Sequence, residues 1–247
     1  FGGPGVPCDL PEEPLEPGLD WERWCGPAPL RPYNSILSPR GVHTHFPDWR
    51  KYKEYGSGMV GDWGAHHLDI AQWGLNMDAS GPRKVVPPAD PAATSGGVFH
   101  YDGDIQVIHG GEFGVEFYGS EGEVKVNRGR LEFYLGGKKI AGFSDKKDGG
   151  SLGQVIDKIE KEYLKDTKIK LYESKDHIRD FVDCVAARKK PITSEQVGAR
   201  SAICCHLLNQ SYYNHATIEW DPAKLEFANG TGKPEWLTRE YRGEWKV

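Results

Sequence analysis

The sequence predicts an α+β fold: a large, open, mostly antiparallel β-sheet with helices packed on one face. Within residues 83–143, apolar and polar residues alternate and glycines recur, which is typical of a meander of about six short strands. Apolar residues at helical spacing lie before this meander, in 48–77, and after it, in 151–214. Because strands and helices are segregated along the chain, the pattern favours α+β over alternating βαβ units.

The composition indicates a chain with a substantial core. Its 247 residues are 38% hydrophobic and 11% aromatic, which gives too many apolar anchors for a disordered chain. The formal net charge is −5, whereas a nucleic-acid-binding domain is typically basic. No run approaches the ~18 apolar residues of a membrane span. We therefore expect neither a nucleic acid nor a membrane as partner.

The first 40 residues are rich in proline, which forbids long helices and central strands there. We expect residues 1–40 to form an extended arm with one short helix capped by Asp20. The chain starts without Met or a recognisable targeting signal, so it reads as an internal start, and the compartment, cytoplasm or periplasm, stays open. At the other end, we expect residues 221–247 to form an irregular tail.

Residues 48–77 are predicted to form a helix, a glycine turn and a second helix. We expect the second helix to place five apolar residues on one face: Met59, Trp63, Ile70, Trp73 and Met77. The turn at 56–61 matches G-x-G-x-x-G, a pattern of dinucleotide-binding loops. Such a loop needs an apolar strand before it, whereas residues 48–55 are charged and helix-like, so we interpret it as a plain turn.

Three further helices are predicted within 151–214. Each follows a residue whose side chain can cap a helix: Ser151, Ser174 and Thr193. A late strand is expected at 217–220, before the tail.

The densest group of polar residues within an apolar helix runs from Asp62 to Asp69. Asp62 and His66 are four residues apart, so both lie on one helical face. A carboxylate there can fix the tautomer of the imidazole, which leaves the second ring nitrogen to act as a general base on a hydroxyl. The alternative is a purely structural His–Asp pair. Gly64, one turn into the helix, indicates that another group approaches closely there.

A metal site is a weaker interpretation of the same region. His43 and His45 could join Asp62 and His66 around zinc, manganese or iron. Histidine and aspartate at this spacing are common without metal, so we expect none. The five cysteines have no zinc-ligand spacing and are expected to be free buried thiols.

Several motifs together resemble the C-terminal half of the bacterial subfamily of Gfo/Idh/MocA oxidoreductases. The most specific is the run from Asp62 to Trp73, D-W-G-A-H-H-L-D-I-A-Q-W. It is joined by Trp21-x-x-Trp24-x-Gly26-Pro27, Arg31-Pro32-Tyr33-Asn34 and Tyr55-Gly56-Ser57-Gly58, and by later matches at 117–122, 177–181 and 220–222. The likeness covers nearly the entire chain.

The resemblance implies a substrate-binding and oligomerisation domain over 1–247. Its partner half, a Rossmann domain that binds NAD or NADP and supplies an active-site lysine, is not in this sequence. Asp62 and His66 match the family's Asp-x-x-x-His pair, with His66 as the base and Asp62 as the residue that orients it. Tyr33, Arg50 and His67 are candidate substrate contacts.

The resemblance therefore predicts hydride transfer from a hydroxyl of a sugar or polyol to a nicotinamide, and the chain alone is expected to be inactive. The alternatives are a glycosidase or lyase of the same family that uses bound NAD transiently, a metal-dependent lyase or isomerase, and a non-catalytic sugar-binding domain. Because the predicted helices cover one sheet face only, we also expect a homo-oligomer through the other face.

Overall fold

The computed structural model describes residues 1–41, 44, 46–167 and 172–245. They form two compact units, the first made of 1–110 and 197–247 and the second of 111–196. The described helices are α1 (Trp21–Cys25), α2 (Gly58–Gly61), α3 (Trp63–Gly74), α4 (Leu152–Glu162), α5 (His177–Ala187) and α6 (Glu195–Asn214). The described strands are β1 (Lys84–Val86), β2 (Val98–His100), β3 (Gln106–Ile108), β4 (Val115–Tyr118), β5 (Gly122–Asn127), β6 (Arg130–Leu135), β7 (Lys138–Phe143), β8 (Ile218–Asp221) and β9 (Glu226–Phe227).

The α+β class is confirmed, with antiparallel pairing throughout the strands described. The strands of the predicted meander divide between two sheets, one in each unit. The first unit has five strands in the order β3-β2-β1-β8-β9, and the second has four in the order β4-β5-β6-β7. The late strand β8 pairs with β1. A segment far away in sequence therefore extends the first sheet.

The core of the first unit lies where this five-stranded sheet meets α3 and α6. Val85, Phe99 and Ile218 stand in register across three strands and are fully buried. Leu68 of α3 and Leu208 of α6 belong to the same apolar cluster. Burial of side chains of this size stabilises the fold by about 1.5–3 kcal/mol each.

The proline-rich arm forms a second apolar cluster of its own within the first unit. It contains the predicted short helix α1, and Asp20 caps it by accepting a hydrogen bond from the Arg23 backbone N–H at 3.0 Å. The buried members of the cluster are Cys8, Trp21, Cys25, Tyr33 and Leu37. The arm therefore folds around aromatic residues. As expected, the five cysteines of the chain are buried free thiols.

In the second unit, α4 packs on the four-stranded sheet, with the Phe133 and Tyr163 rings 5.7 Å apart. Ser151 caps α4 as predicted. The cap of α5 is Asp176, not Ser174, because the Asp176 carboxylate reaches the backbone N–H groups of two residues in its first turn. The apolar face predicted to pack is exposed on α5: Ile178, Phe181, Val182 and Val185.

Among the helices described, none combines the length and the apolar character needed to cross a bilayer.

Candidate functional site

The glycine turn at 56–61 is explained by chain packing. Gly58 has a φ of +65°, a conformation that L side chains rarely adopt. A Cβ atom on Gly58 would overlap the backbone of Pro4 and Gly5, and Pro4 forms an isolated β-bridge with Gly58. The arm thus occupies the space in front of this turn, which a bound phosphate would need. This packing supports the interpretation of 56–61 as a plain turn.

The helix that carries the candidate residues is broken at Asp62, which differs from the continuous helix predicted from Met59 to Met77. Asp62 has φ −83° and ψ −86°, so α2 ends before it and α3 begins after it. The predicted apolar face is also not the face that packs, since Trp63 and Trp73 of α3 are 40% and 41% exposed. The buried residues of α3 are instead Gly64, Leu68, Ala71 and Gln72.

Asp62 forms an ion pair with Arg50. The Arg50 Nη2 and Asp62 Oδ2 atoms are 2.9 Å apart, and both side chains are about three-quarters buried. The two groups attract as charges, but their alignment does not make Oδ2 a hydrogen-bond acceptor. The Arg50 guanidinium also lies over the Phe46 ring, 5.0 Å from its centroid. Among the residues described, no hydrogen bond joins Asp62 to His66.

His66 is exposed on the first turn of α3. Its ring centroid is 5.9 Å from that of Trp63. The neighbouring His67 is half-buried and donates a hydrogen bond from Nδ1 to the Trp63 carbonyl oxygen at 2.9 Å. Since a carbonyl oxygen only accepts, this bond assigns a hydrogen to Nδ1 of His67. The two adjacent histidines thus differ, with His66 open to a substrate and His67 tied to its own helix.

Three contacts between distant segments hold α3 in place. The Tyr101 hydroxyl donates to Gln72 Oε1 at 2.7 Å, in the buried core. Ser201 of α6 donates to Asp69 Oδ1 at 2.6 Å. The ring of Phe1 approaches Gly64 so closely that a Cβ atom there would stand 3.0 Å from it. This ring is the close neighbour that a glycine at position 64 indicates.

Tyr33 lies in the core of the arm, only 3% exposed. Its hydroxyl donates to the Ser38 carbonyl oxygen at 2.9 Å, and the Arg40 guanidinium covers its ring at 5.0 Å. Its position gives no support to the predicted substrate contact, because burial and these two partners account for the side chain.

The predicted metal ligands His43 and His45 lie outside the described residues. Within the described ranges, no three side chains of His, Cys, Asp or Glu cluster closely enough to hold a metal ion. Asp62 and His66 therefore have no third ligand there.

Two histidines that sequence reasoning did not single out have lowered pKa values. Burial lowers the pKa of His109, whose ring stacks on Phe1 at 4.2 Å. Desolvation lowers the pKa of His206, and the nearby Arg239 guanidinium adds to this effect. His206 lines a cavity in the first unit. No sequence motif marks either residue, since their neighbours come from distant parts of the chain.

Comparison with known proteins gives a family match over part of the chain. The sequence model described as "Oxidoreductase family, C-terminal alpha/beta domain" (GFO_IDH_MocA_C2) matches residues 7–112. A search of curated proteins finds no match.

Two solved structures are distantly similar. One is an aldose–aldose oxidoreductase from Caulobacter crescentus in complex with glycerol, with 13% identity, a TM-score of 0.44, and coverage of 75% of this chain and 57% of that one. The other is an oxidoreductase from Agrobacterium radiobacter in complex with NAD+, L-tartaric acid and magnesium, with 15% identity, a TM-score of 0.34, and coverage of 66% and 49%. The match spans about half the length of each of these proteins.

The family match includes the arm, the broken helix with Asp62 and His66, and the first three strands. Residues 7–112, less than half of the chain, are thus similar to the C-terminal alpha/beta domain of the Gfo/Idh/MocA oxidoreductase family.

Proposed function

We propose that this chain is the substrate-binding half of an NAD(P)-dependent oxidoreductase that acts on a hydroxyl of a sugar or polyol. The observation that carries the proposal is the exposed imidazole of His66 on the first turn of α3, inside the matched family domain. An accessible imidazole is the side chain best suited to accept a hydroxyl proton near neutral pH. His66 is accordingly the general base.

The role of Asp62 in this proposal is changed by its contact with Arg50. An aspartate whose charge is paired with Arg50 at 2.9 Å fixes the start of α3, from which His66 projects. Asp62 is thus a positioning residue that acts through the helix. The predicted direct carboxylate–imidazole bond remains a hypothesis for the substrate-bound state, because catalytic hydrogen bonds can tighten only in the complex.

The side chains around His66 also fit a sugar. Trp63 is partly exposed next to the imidazole and can pack against the C–H face of a pyranose ring. Arg50 and His67 stay candidate substrate contacts, since both flank the start of α3. Tyr33 is not retained, because its ring is buried.

The loop pattern at 56–61 does not fit a dinucleotide. This turn matches a dinucleotide-binding pattern in sequence. In the structure, Pro4 and Gly5 pack against it at Gly58. We therefore assign NAD or NADP to a separate nucleotide-binding half, as the resemblance implies. A nicotinamide held there would supply the acceptor for the hydride that leaves the substrate carbon, while His66 takes the hydroxyl proton.

The reaction class can be tested with a full-length protein in which this chain is joined to a nucleotide-binding half. We expect net reduction of NAD+ or NADP+ when a panel of sugars and polyols is supplied. Cleavage of a glycoside without net cofactor reduction would favour the NAD-assisted glycosidase instead. Activity that needs added zinc or manganese but no nicotinamide would contradict the proposal.

We also propose that the chain self-associates through an uncovered sheet face, as expected from the ratio of helices to strands. Light scattering coupled to size-exclusion chromatography checks this, and a strict monomer at all concentrations would contradict it.

A further inference from the structure

The first unit contains a cavity of about 510 Å³ that the proposed reaction does not use. Its walls come from α6, from β8 and β9, from the turn before α2 and from the C-terminal segment at 236–241. No residue of α3 lines it, so it is distinct from the surface around His66. Its volume falls within the roughly 300–1,000 Å³ that is usual for sites of small molecules.

The charged side chains that line this cavity are both cationic. Lys53 and Arg239 line it, and none of the described lining residues is Asp or Glu. The Arg239 side chain is held in place by a hydrogen bond from Nη2 to the Lys53 carbonyl oxygen at 2.6 Å. A cavity with two cations and no carboxylate in its wall favours an anionic ligand.

Two lining residues carry buried polar atoms without a hydrogen-bond partner among the described residues. They are Oδ1 of Asn209 and Nε1 of Trp220, in side chains only 2% and 4% exposed. The Asn209 amide is fixed by its other end, since Nδ2 donates to the Ser57 carbonyl oxygen at 2.8 Å. A buried unsatisfied polar atom costs about 1–3 kcal/mol, so such atoms are rare, and two of them belong to residues in the wall of this cavity.

Part of the remaining wall is aromatic. Trp220 and Phe227 meet edge to face at 5.5 Å, and Phe227 and Trp236 do so at 5.9 Å. Hydroxyl and amide side chains also line the cavity, among them Thr238 and Gln210. Aromatic faces combined with amides and hydroxyls suit a ring that bears several hydroxyl groups better than a purely apolar ring.

We propose that this cavity is a second ligand site, which binds a monosaccharide-sized anion. Its sugar ring packs against the wall of Trp220, Phe227 and Trp236, and its carboxylate or phosphate faces Lys53 and Arg239. The neutral imidazole of His206 and the Gln210 amide provide hydrogen bonds to the hydroxyl groups.

The test is isothermal titration calorimetry on the 247-residue chain with glucose 6-phosphate, glucuronate and neutral glucose. We expect saturable binding of at least one anionic probe, at least 10-fold tighter than that of glucose and weakened by added salt. The stronger of the two anions identifies phosphate or carboxylate as the recognised group. No cofactor is present, so the result is independent of the proposed oxidoreductase activity.

Variants place the binding in this cavity. Lys53→Met keeps the backbone carbonyl that holds Arg239, and we expect it to weaken the anionic probe by about 5–10-fold, as for loss of one partly solvated charge contact. The matched control is Lys138→Met, an exposed lysine of the second unit, which should bind as the parent does. Trp236→Ala, checked for folding by circular dichroism, should weaken all three probes. Absence of saturable binding by either anion, or binding that neither variant changes, would overturn the proposal.

Discussion

Arg50 and Asp62 form an ion pair, with 2.9 Å between Nη2 and Oδ2, at the break between α2 and α3. The pair joins the short 3-10 turn at Asp48–Lys51 to the start of the helix that carries His66. Neither partner is fully exposed, so solvent screens the attraction only in part. The geometry gives the aspartate of the Asp-x-x-x-His motif a structural partner other than the histidine.

Loss of this ion pair should loosen the start of α3. We expect Arg50→Gln to lower the free energy of unfolding by about 1–2 kcal/mol, between the values typical of surface and buried pairs. Urea denaturation of Arg50→Gln, Asp62→Asn and the double variant gives the coupling energy of the two residues. Strictly additive effects of the two substitutions would show that the ion pair does not exist in solution.

The buried contact between Tyr101 and Gln72 should contribute comparably to the position of α3. Tyr101→Phe removes the donor to Gln72 Oε1 and leaves that oxygen unsatisfied in the core. We expect a loss of about 1–3 kcal/mol in the free energy of unfolding. The control is Tyr118→Phe, because Tyr118 is 68% exposed and should change stability by less than about 0.5 kcal/mol. Equal effects of the two substitutions would contradict the assignment of Tyr101 to the core.

Acid should destabilise the first unit through His109. The Gly97 N–H donates to the Tyr212 hydroxyl, which donates to Nδ1 of His109, and Nε2 of His109 donates to the Phe1 carbonyl oxygen. This network holds the neutral imidazole, and burial lowers its pKa below the ordinary value of 6.5. Around and below pH 6.5, the unfolded chain therefore binds more protons than the folded chain. The free energy of unfolding consequently rises with pH there.

The contribution of the neutral His109 to the free energy of unfolding is fully present above pH 6.5. It is lost as the pH falls below that value. His206, whose pKa is also lowered, acts in the same direction. We expect the free energy of unfolding to fall between pH 7.5 and pH 5, by at most about 1.4 kcal/mol per pH unit for each histidine. His109→Gln should have a shallower dependence, measured by urea denaturation across this range. An unchanged slope in the variant would refute the role of His109.

Local signals in the sequence predicted the local features of the fold. Asp20 and Ser151 cap their helices as expected, because a cap depends on residues three or four positions away. The predicted cap of α5, Ser174, was wrong because a second capping residue follows it. Asp176 lies nearer to the free N–H groups of α5. The helical period also missed the break at Asp62, which follows a glycine.

Features made by distant segments could not be predicted in this way. Trp63, expected on an apolar helix face, is exposed, and Tyr33, predicted to contact a substrate, is buried. Both positions are set by packing between distant segments. The cavity has the same origin, because Lys53, His206 and Arg239 meet only in the folded chain. The five-stranded sheet likewise needs a distant segment, because β8 pairs with β1.

The most direct test of the central claim is the rate of substrate oxidation by the full-length protein that carries His66→Ala, with and without added imidazole. We expect a loss in kcat of about 10²–10⁴-fold, as for removal of a general base, and partial recovery with imidazole. His215→Asn is the control: His215 is exposed and has a φ of +45°, which asparagine tolerates, so the rate should not change. A His66→Ala variant that oxidises its substrate within a few-fold of the parental rate would contradict the assignment of His66 as the base.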